Sequence, residues 1–85
     1  MNYVVEFNPP TYPNLEVELA LVGWKYKQFG DFLGLNPNAI SERMRGKTEF
    51  KLEEMSKTSN LFNKPINVLF SNVYVKEWTQ WTLSY

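Results

Sequence analysis

YKQFGDFLGLNPNAISERMRGK (residues 26–47) is the stretch on which the reading of this 85-residue chain turns. It holds two helical patterns separated by Gly34, Leu35 and Asn36. In the first, Phe29, Phe32 and Leu33 recur at helical spacing and form one apolar stripe, which predicts a helix over about residues 26 to 33. Gly30 lies inside that helix, where glycine costs ~1 kcal/mol relative to alanine. A residue so unfavourable locally points to the close approach of another backbone. Gly34 stands where a helix end needs a left-handed residue. Asn36 then offers a strong N-cap, and Pro37 suits the first helical position because its missing N–H does no harm there. Ile40 and Met44 supply an i, i+4 apolar pair, and Gly46 is a natural stop, so a short helix is predicted over about residues 37 to 45.

Working outward, Asn14 can cap an earlier helix whose apolar face is Leu15, Leu19 and Val22, with Glu16 in its first turn and Gly23 at its end. Downstream, a helix is predicted from about Leu52 to Phe62, with Leu52, Met55, Ser59 and Phe62 on one face. Glu53 and Glu54 suit its positive end and read as surface residues. Asn63 and Lys64 form a break, and Pro65 starts a last short helix carrying Ile66, Leu69 and Phe70. Alternation near both ends predicts strands over about residues 2–7 and 73–78. Pro9, Pro10 and Pro13 forbid regular structure between the first strand and the first helix. The expected fold is therefore mostly α: one domain over residues 1–85, with five short helices and a small terminal β-sheet.

Composition narrows the function classes. The hydrophobic fraction is 44%, enough for one compact core, and 14 aromatic residues (6 Phe, 5 Tyr, 3 Trp) raise the apolar area that so short a chain can bury. There is no cysteine and no histidine, which removes disulfides, thiolate metal sites, the commonest general base and the commonest metal ligand. Adjacent Glu53 and Glu54 point about 100° apart on a helix, poor geometry for a shared acid–base site. No phosphate-loop pattern is present. The expectation is a non-enzymatic protein without cofactor, metal or small-molecule substrate. No apolar run approaches the ~18 residues that span a bilayer, and Met1 to Phe7 does not read as a signal peptide. A cytoplasmic location and no membrane partner are expected.

Net charge is zero, but the charges are segregated. Residues 25–51 hold six cations (Lys25, Lys27, Arg43, Arg45, Lys47, Lys51) against Asp31, Glu42 and Glu49, a surplus of three. A molecule can bind a polyanion through one basic face while its average charge is nil.

The central unit is similar to the Cro and repressor type of helix-turn-helix, the XRE-like family, over about residues 14 to 70. The similarity rests on Phe29-Gly30, on Leu33-Gly34-Leu35 at the turn, and on Ile40-Ser41 followed by Arg45-Gly46-Lys47. Leu52, Leu61 and Ile66 to Phe70 fit the two closing helices. The run Arg43-Met44-Arg45-Gly46-Lys47 looks especially like small phage-encoded regulators of this family. Three positions depart from the pattern. Tyr26 stands where the family usually has Gln, Lys25 replaces the usual Ser or Thr cap, and Arg43 falls where the family usually has an apolar residue, leaving Met44 as the anchor.

The resemblance implies sequence-specific binding of a double-stranded DNA operator by a transcriptional regulator. By position, the residues facing the bases would be Asn38, Ala39, Glu42 and Arg43, with Pro37 against the groove wall. Asparagine suits adenine, arginine suits guanine, and a carboxylate accepts from cytosine N4. Asn38 and Glu42 have a plainer alternative as solvated side chains, and Arg43 as a surface charge or a phosphate contact. Lys25, Lys27, Gln28, Asn36, Arg45, Lys47, Thr48 and Lys51 would serve as phosphate contacts. The aromatic tail residues Tyr74, Trp78, Trp81 and Tyr85 fit core closure, a homodimer interface or, less well, base stacking. The rival class is a protein-interaction module on the same scaffold, an antirepressor or adaptor, because fold does not fix function.

Overall fold

Pro13 starts the first helix. Its fixed φ suits the first helical turn, and Glu16 complements the positive end. A computed structural model of the chain describes residues 11–74, which form α1 (Pro13–Leu21), α2 (Tyr26–Leu33), α3 (Pro37–Met44), α4 (Leu52–Phe62) and α5 (Ile66–Leu69). The mostly helical expectation holds for these residues. Among them there is no strand. Of the two expected strands, only Val73 and Tyr74 fall within the described residues, and neither lies in one. Residues 2–7 and 75–78 lie outside them. No helix among the described residues is long and apolar enough to cross a membrane.

α1 begins one residue earlier than the Asn14 cap implies, because Pro13 already occupies the first helical position and Tyr12 precedes it. Asn14 is instead fully buried, and its Nδ2 donates to the carbonyls of Val68 and Val73, both at 2.9 Å. One amide thus ties the start of α1 to α5 and to the segment after it. Leu15 and Leu19 are buried as expected, but Val22 is exposed because the helix has ended at Leu21. Gly23 takes φ +73°, and the Trp24 N–H reaches the Leu19 carbonyl at 2.9 Å.

The core gathers Leu15, Leu19, Phe29, Leu33, Ile40, Met44 and Phe50. Phe50 lies in the connection between α3 and α4. Its ring meets Tyr12 at 5.5 Å, Phe70 at 5.0 Å and Phe29 at 6.2 Å between centroids. The pairs with Tyr12 and Phe70 are edge-on, an arrangement that contributes beyond the area it buries. Phe32, expected in the buried stripe of α2, sits at its margin against Trp24, with ring centroids 5.9 Å apart. On α4, Met55 and Phe62 of the expected face are partly buried against the core and Ser59 is half-buried, but the start of that face differs. Leu52, at the first helical position, is 69% exposed, whereas Glu54 and Thr58 are buried.

The Gly30 expectation is met. A Cβ at this position would lie 2.9 Å from the Leu35 carbonyl oxygen and 3.0 Å from Ile40 Cγ2. The missing side chain lets α2 and α3 cross closely. Helix propensity alone would make Gly30→Ala stabilising by about 1 kcal/mol. Overpacking against a backbone oxygen costs about 1–3 kcal/mol and reverses the sign. Gly30→Ala is therefore expected to lower the thermal midpoint by several degrees, and a rise in a melting experiment would contradict the packing described.

Glu18 is buried on α1, and loss of hydration holds its carboxyl above the ordinary carboxylate range, with Lys64 pulling weakly the other way. An acid whose pKa is raised in the folded state gives its full stability below the unfolded value and loses it as pH rises through the folded one. Glu18→Gln removes that loss. Melting curves should show a larger gain in midpoint for this variant at pH 7 than at pH 4.

Candidate nucleic-acid interface

The residues singled out by the charge pattern fall on α2, on the Gly34–Asn36 turn, on α3 and on the connection to α4. Local chemistry sets the geometry of each. Lys25 precedes α2 in an extended conformation, and its backbone N–H donates to Gln28 Oε1 at 2.8 Å. Gln28 is thus partly committed to capping its own helix. Gly34 takes φ +76°, which lets the Leu35 N–H turn back to the Gly30 carbonyl at 2.8 Å. Asn36 Oδ1 accepts from the Ala39 N–H at 2.8 Å, the predicted cap.

α3 is held by Ile40 and Met44, both buried, so Met44 is the anchor at the end of the helix. Pro37, Asn38 and Glu42 are exposed, and Ala39 is half-buried. Past α3, Gly46 takes φ +80°, and the N–H groups of Lys47 and Thr48 return to the Glu42 carbonyl at 2.9 and 3.3 Å. Arg45, Lys47, Thr48 and Lys51 are all exposed. Lys27 pairs with Asp31 at 3.2 Å in an exposed i, i+4 contact. Among the described residues, Lys25, Arg45, Lys47 and Lys51 make no ion pair.

Arg43 corrects the expectation of a base contact. It is 8% exposed, and its guanidinium grips the carboxylate of Glu54 on α4, with Nε to Oε1 at 2.8 Å and Nη2 to Oε2 at 3.3 Å. The reason is its register: residues 40, 43 and 44 share one face, so Arg43 lies beside Ile40 and Met44 on the inner side. Glu54, expected at the surface, is buried by the same pair and also accepts the Lys51 N–H at 3.0 Å. Withdrawal of Arg43 leaves Glu42 as the one charged side chain exposed on α3 itself.

Tyr26 is likewise committed. Its hydroxyl donates to Glu16 Oε2 across the α1–α2 turn. Burial, then the hydrogen bond and charge of Glu16, push the phenol well above its ordinary range. The same turn borders an open groove of about 530 Å³ lined by Glu16, Leu19, Ala20, Trp24, Lys25, Tyr26 and Lys27. In the tail, Tyr74 is half-exposed, while Trp78, Trp81 and Tyr85 lie outside the described residues.

Comparison with protein-family models, with curated proteins and with solved structures finds no match.

Removing one partner of a buried ion pair strands the other charge, at a cost of about 3–5 kcal/mol. Arg43→Ala should therefore destabilise this small domain severely, while Arg45→Ala, two positions on and exposed, should shift a denaturation midpoint little. Equal effects of the two variants would contradict the burial of Arg43.

Proposed function

We propose that this chain is a non-catalytic, double-stranded DNA-binding protein of the Cro and repressor helix-turn-helix type, acting as a transcriptional regulator. The observation that carries this reading is the division of α3 into two sides. Ile40 and Met44 fasten one side to the core, while Pro37, Asn38 and Glu42 are exposed. A short helix set off by a three-residue turn, with its N-terminal residues free, matches the element that enters a major groove. Exposed Lys25, Arg45, Lys47 and Lys51, none of them in an ion pair among the described residues, precede and follow it in the chain, which is what backbone neutralisation requires.

Base contact then falls to Asn38, Glu42 and Ala39, with Pro37 against the groove wall and Arg43 no longer among them. Phosphate contact falls chiefly to Lys25, Arg45, Lys47 and Lys51. Lys27, Gln28 and Asn36 contribute less through their side chains, because each already has an intramolecular partner; Arg45 gives only its Nε to the Ser41 carbonyl, at 3.4 Å, and its side chain stays exposed. Thr48 remains available.

A second reading, a protein-interaction module, is favoured by one observation: with Arg43 buried, the exposed surface of α3 itself carries a carboxylate and no cation. Binding to random duplex DNA at low and moderate salt separates the two. The DNA reading expects salt-dependent binding, and exchange of both Arg45 and Lys47 for alanine should reduce the slope of log affinity against log salt by about two. Absence of binding even at low salt would favour the interaction module.

A further inference from the structure

We infer that Arg43 and Glu54 are a positioning pair that fixes the cationic connection after α3 relative to the exposed surface of α3; this rests on the DNA-binding reading. The geometry points to the role. One carboxylate holds both ends of the segment from residue 43 to residue 51. It accepts two N–H bonds from the Arg43 guanidinium and one from the Lys51 backbone. Between those anchors lie Arg45, Lys47 and Thr48, all exposed, and Lys51 carries its own exposed ammonium at the second anchor. The loop bearing the phosphate-facing cations is thereby closed at both ends on a single buried group.

The chemistry fits direction-setting better than stabilisation. A buried ion pair gains little net stability over apolar residues of similar volume, because desolvation offsets attraction. A guanidinium is instead a planar fork that fixes the direction of its acceptor, which an ammonium does not. Both carboxylate oxygens of Glu54 accept from the guanidinium, and no fully buried side-chain polar atom among the described residues lacks a partner, which favours one arrangement of the pair. Base readout depends on phosphate contacts that set register and orientation on the duplex. A pair that locks the cations to α3 would act on sequence preference, not on total affinity.

The test uses the full chain and two variants, Arg43→Met/Glu54→Leu and Arg43→Lys. The first replaces the pair by apolar residues of similar size, and the second keeps the charge but removes the fork. Three readouts are taken: thermal midpoint, the salt slope on random duplex, and preference for the duplex that the wild type selects from a randomised library. Folded variants should keep the wild-type salt slope, since no phosphate-facing cation is altered. Their preference for the selected duplex over random duplex should fall by at least about tenfold.

A fourth readout needs no DNA. Because the chain has no native cysteine, spin labels at Asn38→Cys and Lys57→Cys report the distance from α3 to α4. The distance distribution should broaden in both pair variants. A folded variant with unchanged preference and an unchanged distribution overturns the proposal, whereas failure of the wild type to bind any duplex overturns the DNA-binding reading. If the double variant does not fold, Arg43→Lys decides alone: a broadened distribution supports the pair, and an unchanged one overturns it.

Discussion

The absence of a side chain at Gly30 is the constraint on which the rest of the arrangement depends. A helix interior pays for glycine in backbone entropy. Here the gap admits the Leu35 carbonyl and the Ile40 side chain to within about one atom of the α2 backbone. Once α2 and α3 are that close, the turn between them has little freedom. It is three residues long, it needs a left-handed residue at its start, and Gly34 supplies one. Asn36 then caps α3 from within the turn. Position and orientation of α3 thus follow from two glycines and one asparagine, before any apolar packing is counted.

Apolar packing alone would leave the closing helices loosely tied, because α5 is only four residues long. Polar pins do the remaining work. Asn14 holds two carbonyls of the C-terminal segment, Thr58 returns a hydrogen bond to Glu54 within α4, and Glu54 binds Arg43. Buried polar groups are expensive unless satisfied, and none of these side chains is left without a partner. For a domain with a small core, such pins specify one arrangement among several that would bury similar apolar area.

The α2–turn–α3 unit was legible in the sequence because its signals are local. Gly34, Asn36, Pro37 and Gly46 act within three or four residues of themselves, and helix limits follow from them. Ile40 and Met44 were legible as an anchor for the same reason. What escaped was non-local. Asn14 carries a cap signature, but Pro13 beside it takes the helix start and frees the amide for residues more than fifty positions away. Glu54 carries a dipole signature as well, and satisfies it, yet its burial depends on Arg43 eleven residues earlier. The one available clue was register: Arg43 occupies the i+3 position of the Ile40–Met44 stripe, and a cation on an apolar stripe asks for a buried anion. Phe50 likewise gave no periodic signal, since a single aromatic in a loop has no period.

The burial of Arg43 also changes what the proposed interface must use. A reading helix that lacks an exposed cation gains nothing from the phosphate backbone by itself, and Glu42 opposes approach to it. On the proposed DNA-binding reading, affinity would come from the segments before and after α3, where Lys25, Arg45, Lys47 and Lys51 are exposed and make no ion pair among the described residues. Such a division separates the two tasks of recognition more sharply than a mixed surface does. On that reading, non-specific attraction would be carried by the flanks and screened by salt, while α3 would contribute mainly by rejecting wrong bases. A carboxylate facing an edge that presents only acceptors, as guanine O6 and N7 do, is repelled; facing the amino group of cytosine or adenine it is not. Discrimination by an unpaired acid is discrimination by penalty, and a penalty works only if the helix cannot shift away from it. The seating of α3, by the glycine crossing on one side and the Arg43–Glu54 pair on the other, would supply that condition.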